Sequence, residues 1–348
     1  GPEMATGYSY YGIGSQSVSE DNKLMAFAID TVSRRRYNIY FKNLETGEQY
    51  SDMLSNTSGR ATWANDNKAV FYTTKDPETL RANKIYRHIL GTSQAEDVLI
   101  FDEKDETFNI GVGKSKSKAY LTIYSSQTLS TEVRVLDANT PNGEWKIIQP
   151  REMNLEYSVD HYSDHFYIRT NLDAKNFRLV KTPITDTTKE NWVDVIPHRE
   201  NVFLQGFDLF SNQLVVQERE NGLRGIRIIN WKGGEHQMTF NDPTYLAYTT
   251  SNLDFDTNIL RYGYTSLTTP NSTYDYNMDT KEQVLLKQEE VLDSNFSSDN
   301  YISERLFATA RDGVKVPISL VYKKGTEKNV NTPLLLYSYG SYGSSSEA

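Results

Sequence analysis

Only a few stretches of this chain bring nucleophiles, bases or carboxylates close together, and each points to a definite chemistry. His161 and His165 flank Tyr162-Ser163-Asp164, with Asp160 adjacent. An H-x3-H pair binds zinc when a helix turns both rings to one face. Here the spacing spans a strand end and a turn, with no third ligand in view, so a solvated turn is expected and no metal or other cofactor is assigned. Acyl transfer by a serine hydrolase needs a Ser nucleophile, a His base, an orienting carboxylate and donors for the oxyanion. The strained strand-to-helix elbow that presents such a serine reads Gly-x-Ser-x-Gly, and the sequence contains none. Its nearest approach, Gly91-Thr92-Ser93-Gln94-Ala95, reads as a loop between two strands with no helix following. Arg34-Arg35-Arg36 reads as a solvated strand edge, where charge discourages unwanted pairing.

Composition removes several other classes. In 348 residues, 37 Lys+Arg stand against 46 Asp+Glu, a formal charge of -9. Nucleic-acid binding needs a concentrated basic face, and none is present. With no cysteine, disulfides, thiolate metal sites and a Cys nucleophile are all excluded. Apolar residues make up 37%, enough for a core. No apolar run approaches the length of a membrane span. Gly1-Pro2 has the form of a dipeptide left by a tag-cleaving protease and takes no part in fold reasoning.

The elements that would position any site are strands. Tyr (24) and Phe (14) are abundant, and runs such as Leu24–Ala28, Tyr37–Phe41 and Ala69–Tyr72 mix β-branched and aromatic residues between Asn, Asp, Gly and Ser. Helical periodicity is nearly missing; Pro77–Lys84 is the best candidate, for one or two turns. Apolar anchors at Leu24, Val70, Tyr120, Phe166, Leu214 and Leu260 are spaced 46, 50, 46, 48 and 46 residues apart, most behind a polar turn such as Asp21-Asn22-Lys23 or Asp66-Asn67-Lys68. Trp145 and Trp192 lie 47 apart, and each is followed five residues on by a proline. These tryptophans are expected to pack between repeats. Repeat three runs Asn109–Gly113, Ala119–Tyr124, Glu132–Asp137 and Trp145–Gln149. Four strands per repeat of this length indicate an all-β chain built as a β-propeller of four-stranded blades. Six complete repeats fit between Tyr10 and Gln288.

After Gln288 the pattern changes. Residues 288–300 are polar and acidic, as in a linker. Arg305–Ala310 and Val316–Tyr322 flank Arg311-Asp312-Gly313, a hairpin signal. Pro333–Tyr337 is a continuous apolar run, expected as a strand buried on both faces. Three strands do not make a stable domain, so the tail reads as the opening of a larger one.

The stretch from Tyr301 through Arg311-Asp312-Gly313 to Tyr322 resembles the entry into the hydrolase domain of the oligopeptidase B group, in the prolyl oligopeptidase family of serine peptidases. Pro333–Gly343 resembles the strand and loop that carry part of that group's oxyanion hole. Asp30–Arg35, Lys75–Arg81 and Ser266–Tyr276 resemble stretches of its propeller. The resemblance implies a propeller over residues 3–300, its first blade largely missing, and the first strands of an α/β-hydrolase domain over 301–348. The family has seven blades where six repeats are counted here.

By this resemblance Tyr339 is expected to donate its hydroxyl to the oxyanion, and Glu347 to bind a basic residue of the substrate. Ser338 stands where the family usually has Gly. The intact parent would be a serine oligopeptidase that hydrolyses small peptides after Lys or Arg, with dibasic sites favoured and the propeller acting as lid and filter. Its triad falls outside this chain, which alone is expected to be inactive. The expected partners are basic peptides and the remainder of the catalytic domain, not nucleic acid or membrane. The cytoplasm is the expected compartment, with periplasm or secretion left open. The alternative is a stand-alone propeller that scaffolds a protein partner. A propeller with its own axial-channel site would need paired carboxylates on the innermost strands, and Thr62–Ala64, Asn109–Gly113 and Val202–Gly206 have none.

Overall fold

A computed structural model describes residues 2–341 and 344–347. Twenty-three of its strands build six antiparallel four-stranded blades in strict sequence order. The first blade holds β1 (Gly12–Val18), β2 (Leu24–Asp30), β3 (Tyr37–Asn43) and the start of β4 (Gln49–Trp63). The second takes the end of β4, then β5 (Ala69–Lys75), β6 (Ala82–Ile89) and β7 (Val98–Asp102). β4 pairs with β3 through residues 49–57 and with β5 through residues 57–63, so one strand serves both blades.

The third blade is β8 (Asn109–Lys114), β9 (Tyr120–Gln127), β10 (Ser130–Asp137) and β11 (Lys146–Ile147). The fourth is β12 (Tyr157–Tyr162), β13 (His165–Thr170), β14 (Arg178–Pro183) and β15 (Val193–Ile196). The fifth is β16 (Val202–Leu209), β17 (Gln213–Glu220), β18 (Leu223–Asn230) and β19 (Glu235–Gln237), and the sixth β20 (Tyr245–Thr249), β21 (Ile259–Ser266), β22 (Ser272–Asn277) and β23 (Gln283–Gln288). The tail adds the hairpin of β24 (Tyr301–Thr309) and β25 (Lys315–Lys323), then a short one of β26 (Gly340–Ser341) and β27 (Ser344–Ser345). The repeat count and the four-strand unit expected from the spacing are both observed.

The chain divides into two compact units, residues 1–173 with 179–196, and residues 174–178 with 197–348. Within the first, strand alternation sends successive side chains into different cores. From β5, Val70 and Tyr72 join Phe41, Leu54 and Trp63, whereas Ala69 and Phe71 join Leu121 and Ile123 of the third blade. A blade in the middle of the stack is therefore apolar on both faces, which is why Ala69–Tyr72 reads as an unbroken hydrophobic run. Trp145 packs edge-on against Phe71 of the second blade, and Trp192 packs on a cluster that joins Val133 and Val135 of the third blade to Tyr157 and Phe166 of the fourth, the packing between repeats expected of both. Within the second unit, Phe210, Val215, Ile226 and Ile228 pack against Leu260, Tyr262 and Tyr264.

The polar turns that punctuate the repeats repeat their geometry as well. Asn22 and Asn67 adopt left-handed φ values of 60° and 56°, which Asn tolerates better than most residues. Asp21 and Asp66 accept backbone N–H groups from the residues two further on.

Three local expectations need correction. Pro77–Lys84 holds a turn and then the start of β6, not a helix, because Asp76 accepts N–H groups from Glu78 and Thr79 and closes a turn there. Arg34-Arg35-Arg36 lies in a turn rather than on a strand edge, organised by the Asp30 carboxylate, which accepts from the N–H groups of Val32, Arg34 and Arg35. Pro333–Tyr337 is exposed and irregular, Leu335 at 91%. The run has strand character, but among the described residues no strand pairs with it.

Candidate functional site

The tail is organised by the tip of the β17–β18 hairpin. Glu220 pairs with Leu223, leaving Asn221-Gly222 as a two-residue turn with φ of 50° and 78°. Positive φ at both positions is the type I′ geometry that matches strand twist and favours Asn-Gly. Gly222 is also required by space. A Cβ there would stand 2.6 Å from Arg305 Nη2 and 2.9 Å from Pro317 Cγ. Arg305 projects from β24 and donates to the Asn221 carbonyl at 2.9 Å and to the Ser319 hydroxyl at 2.8 Å. Ser319 in turn meets the buried Thr244 hydroxyl.

The same turn places Arg219 directly opposite Arg224. Like charges facing across a ladder repel, and one carboxylate resolves the conflict. Glu347 Oε1 accepts from Arg224 Nε at 2.8 Å and from Arg219 Nη2. Arg219 Nη1 also donates to Ser345 Oγ at 2.6 Å. Arg224, Thr244, Arg305, Ser319, Ser346 and Glu347 line a shallow cleft here. Burial pulls the Arg305 guanidinium below its ordinary value, and among the described residues it has no carboxylate partner.

Tyr339 lies beside this cleft in sequence and structure. Its carbonyl accepts from the Ser346 N–H at 3.2 Å, and its ring is half exposed. The structure thus brings both residues singled out in the tail into one small hairpin. Glu347 does meet guanidinium chemistry, but the groups it meets are the chain's own Arg219 and Arg224. Residues 342 and 343, in the stretch that resembles the family's oxyanion loop, lie outside the described residues.

The remaining candidates are structural. Ser93 caps a single 3-10 turn, accepting from Ala95 N while Glu96 accepts from its own N–H; its hydroxyl is used in the cap. His161 and His165 sit on paired strands, His161 opposite Phe166 and His165 opposite Tyr162. Period-two alternation therefore turns the two rings to opposite faces. His161 packs on Tyr120 and Phe166, accepts or donates at Ser117 Oγ over 2.8 Å, and is pushed below its ordinary value by burial. His165 Nδ1 meets Asp164 at 2.6 Å.

One polar cluster was invisible to sequence reasoning. His88, on β6 and 1% exposed, has Nδ1 2.7 Å from Asp97 and Nε2 3.3 Å from Asp52. Tyr72 donates to the other Asp97 oxygen at 2.7 Å. Burial works against charge on His88, but Asp97 and then Asp52 outweigh it and raise the imidazole above its ordinary value. Carboxylates at both ring nitrogens favour the imidazolium form. His88 has the Asp–His half of a hydrolase triad, but its far nitrogen faces the Asp52 carboxylate, and the cluster ties together the first two blades.

Residues 3–289 match the family model "Prolyl oligopeptidase, N-terminal beta-propeller domain". The chain is 40% identical over 344 residues to a dipeptidyl aminopeptidase BI from Pseudoxanthomonas mexicana, covering 98% of this chain and 47% of that one. It is 35% identical over 347 residues to Protease 2 from Moraxella lacunata, covering 99% and 50%. The structure of oligopeptidase B from Leishmania major superposes with a TM-score of 0.90 at 31% identity, over 99% of this chain and 50% of that one. The chain spans about half the length of the curated relatives it matches. On its propeller sequence, its blades and the continuation of the likeness through the tail, this chain belongs to the prolyl oligopeptidase family of serine peptidases.

Proposed function

We propose that this chain is the substrate-filtering propeller, with the first hydrolase strands, of a serine oligopeptidase that cleaves small peptides after Lys or Arg. The observation that carries the reading is the likeness to oligopeptidase B along 99% of the chain, tail included. A propeller serving only as a binding scaffold has no need of the β24–β25 hairpin and the Tyr339 loop. In the proposed reaction a serine attacks the scissile carbonyl, a histidine takes its proton, and the Tyr339 hydroxyl donates to the oxyanion. The serine, histidine and aspartate come from outside these 348 residues, and closure of lid on hydrolase excludes water. The chain alone is expected not to hydrolyse peptides. The cytoplasm is proposed as the enzyme's compartment, with the periplasm or secretion as the alternatives.

The test joins this segment to the sequence that follows it in the gene. Labelling by a serine-directed phosphonate and cleavage after Arg or Lys are expected, with neither in the 348-residue chain. A longer protein that is neither labelled nor active sinks the proposal and favours the scaffold. A second reading rests on the 40% relative, a dipeptidyl aminopeptidase: release of dipeptides from a free N-terminus. Blocking the N-terminus of a peptide substrate separates the two, since internal cleavage survives the block and dipeptide release does not.

A further inference from the structure

We infer that Arg219 and Arg224 are positioning residues for the loop that carries Tyr339, acting through Glu347. The inference rests on the peptidase reading above for its catalytic consequence, while its structural part stands on contacts within the second unit. Two guanidinium groups facing each other across β17 and β18 add nothing to the hairpin itself, since the Asn221-Gly222 turn already fixes the register. Their repulsion is relieved by a carboxylate that arrives 123 residues after Arg224. From there the contacts lead directly to Tyr339. Arg219 holds Ser345 as well as Glu347, Ser345 pairs with Gly340, and Ser346 donates to the Tyr339 carbonyl.

Arg305 steadies the other side of the same turn through the Asn221 carbonyl. One blade tip therefore grips both tail hairpins. The Arg219, Arg224 and Glu347 side chains are each mostly shielded, Glu347 at 16% exposure, so the grip is less open to salt screening than a surface pair. A donor aimed at an oxyanion loses its effect when displaced by about 1 Å. The described residues on either side of the loop, Gly340-Ser341 and Ser344–Ser346, have small side chains, and an ionic anchor beside them supplies a constraint.

Two measurements test this. In the 348-residue chain, amide hydrogen exchange at Ser341 and Ser344–Ser346 is expected to speed up by about ten-fold or more in Arg219→Ala/Arg224→Ala and in Glu347→Gln. Arg261→Ala, which breaks an exposed pair with Asp275 on β21 and β22, serves as the control and leaves those amides unchanged. Glu347→Gln, close to the chain end, carries little risk to folding. In the longer peptidase, the same variants are expected to lower kcat by about ten-fold with KM for a basic peptide unchanged. Exchanging the charges in Arg224→Glu/Glu347→Arg should restore part of the loss.

Unchanged exchange overturns the inference. So does a rise in KM for basic peptides with kcat intact, which would make Glu347 a substrate-binding carboxylate. A longer wild-type protein that never reacts with the phosphonate defeats the peptidase reading instead, and the exchange result then decides the anchor by itself.

Discussion

His88 Nδ1 lies 2.7 Å from Asp97 Oδ1 in a site closed to solvent, with Asp52 at the opposite ring nitrogen. Three elements meet there: Asp52 on β4, His88 on β6 and Asp97 just before β7. Tyr72 and Gln94 complete the cluster, Gln94 reaching both the Tyr72 hydroxyl and Ser55. Because the folded imidazole is raised above its ordinary value, its contribution is fully present below about pH 6.5 and is lost as pH rises through the folded value. Thermal melts from about pH 6 to about pH 9 should therefore show a decline that His88→Gln flattens. Asp97→Asn should cost about 3 kcal/mol below about pH 6.5, where the imidazole is charged and loses its better partner.

Flanking the third blade, the buried Glu103 and the half-buried Arg151 form a second pair with the opposite pH sign. Arg151 Nη2 donates to Glu103 at 2.7 Å. Burial alone would raise Glu103, but Arg151, the Ser125 hydroxyl and the Asp105 N–H outweigh it and hold the carboxyl below its ordinary value. Stability from this pair is present above the unfolded value and is lost as pH falls through the lower folded one. Arg151→Ala should destabilise the chain by about 3 kcal/mol in urea unfolding at neutral pH. The difference from wild type should shrink in acid.

Gly222 is a position where one methyl group is costly. Its φ is 78° and the space for a Cβ is filled by Arg305 and Pro317. Gly222→Ala should cost about 1–3 kcal/mol, and calorimetry should show a lowered Tm. Gly47, also at positive φ but with nothing near its Cβ position, should pay the backbone term alone when changed to Ala.

Phe71 is fully buried and meets Trp145 edge-on with ring centroids 5.7 Å apart. Phe71→Ala should cost about 3–5 kcal/mol, read as a lower urea midpoint. Phe71→Leu should recover most of it, because the site asks for volume before ring geometry.

On the proposed peptidase reading, Tyr339→Phe in the longer protein should lower kcat by about a hundred-fold or more with little change in KM, the pattern of a lost oxyanion donor. Steady-state kinetics on an Arg-containing peptide would measure it. A fall below ten-fold would remove Tyr339 from the oxyanion hole.

The blades were legible because the information is periodic. Leu24, Val70, Tyr120, Phe166, Leu214 and Leu260 each open the second strand of a blade or fall within its first two residues, and the polar turns before them close local hydrogen bonds. Local chemistry also gave away the Asp312-Gly313 hairpin. What sequence could not supply was anything decided by distant partners. Pro333–Tyr337 has the composition of a buried strand, but a strand also needs neighbours. His88, Asp52 and Asp97 are separated by 36 and 9 residues and meet because β4 continues from one blade into the next. The Arg219–Arg224 pair left a readable trace: Asn221-Gly222 predicts a two-residue turn, and that register sets two like charges face to face, a conflict that calls for a carboxylate. Nothing local says that the carboxylate is Glu347.

The fifteen-residue β4 makes the first two blades unlike the other four. Elsewhere a loop separates each blade from the next, and a gene could gain or lose a whole repeat by recombining within those loops. Between the first two blades no such seam exists, for any cut would fall inside a hydrogen-bonded strand and leave both halves with a ragged edge. This pair is expected to be inherited, exchanged and unfolded as a single module of seven strands.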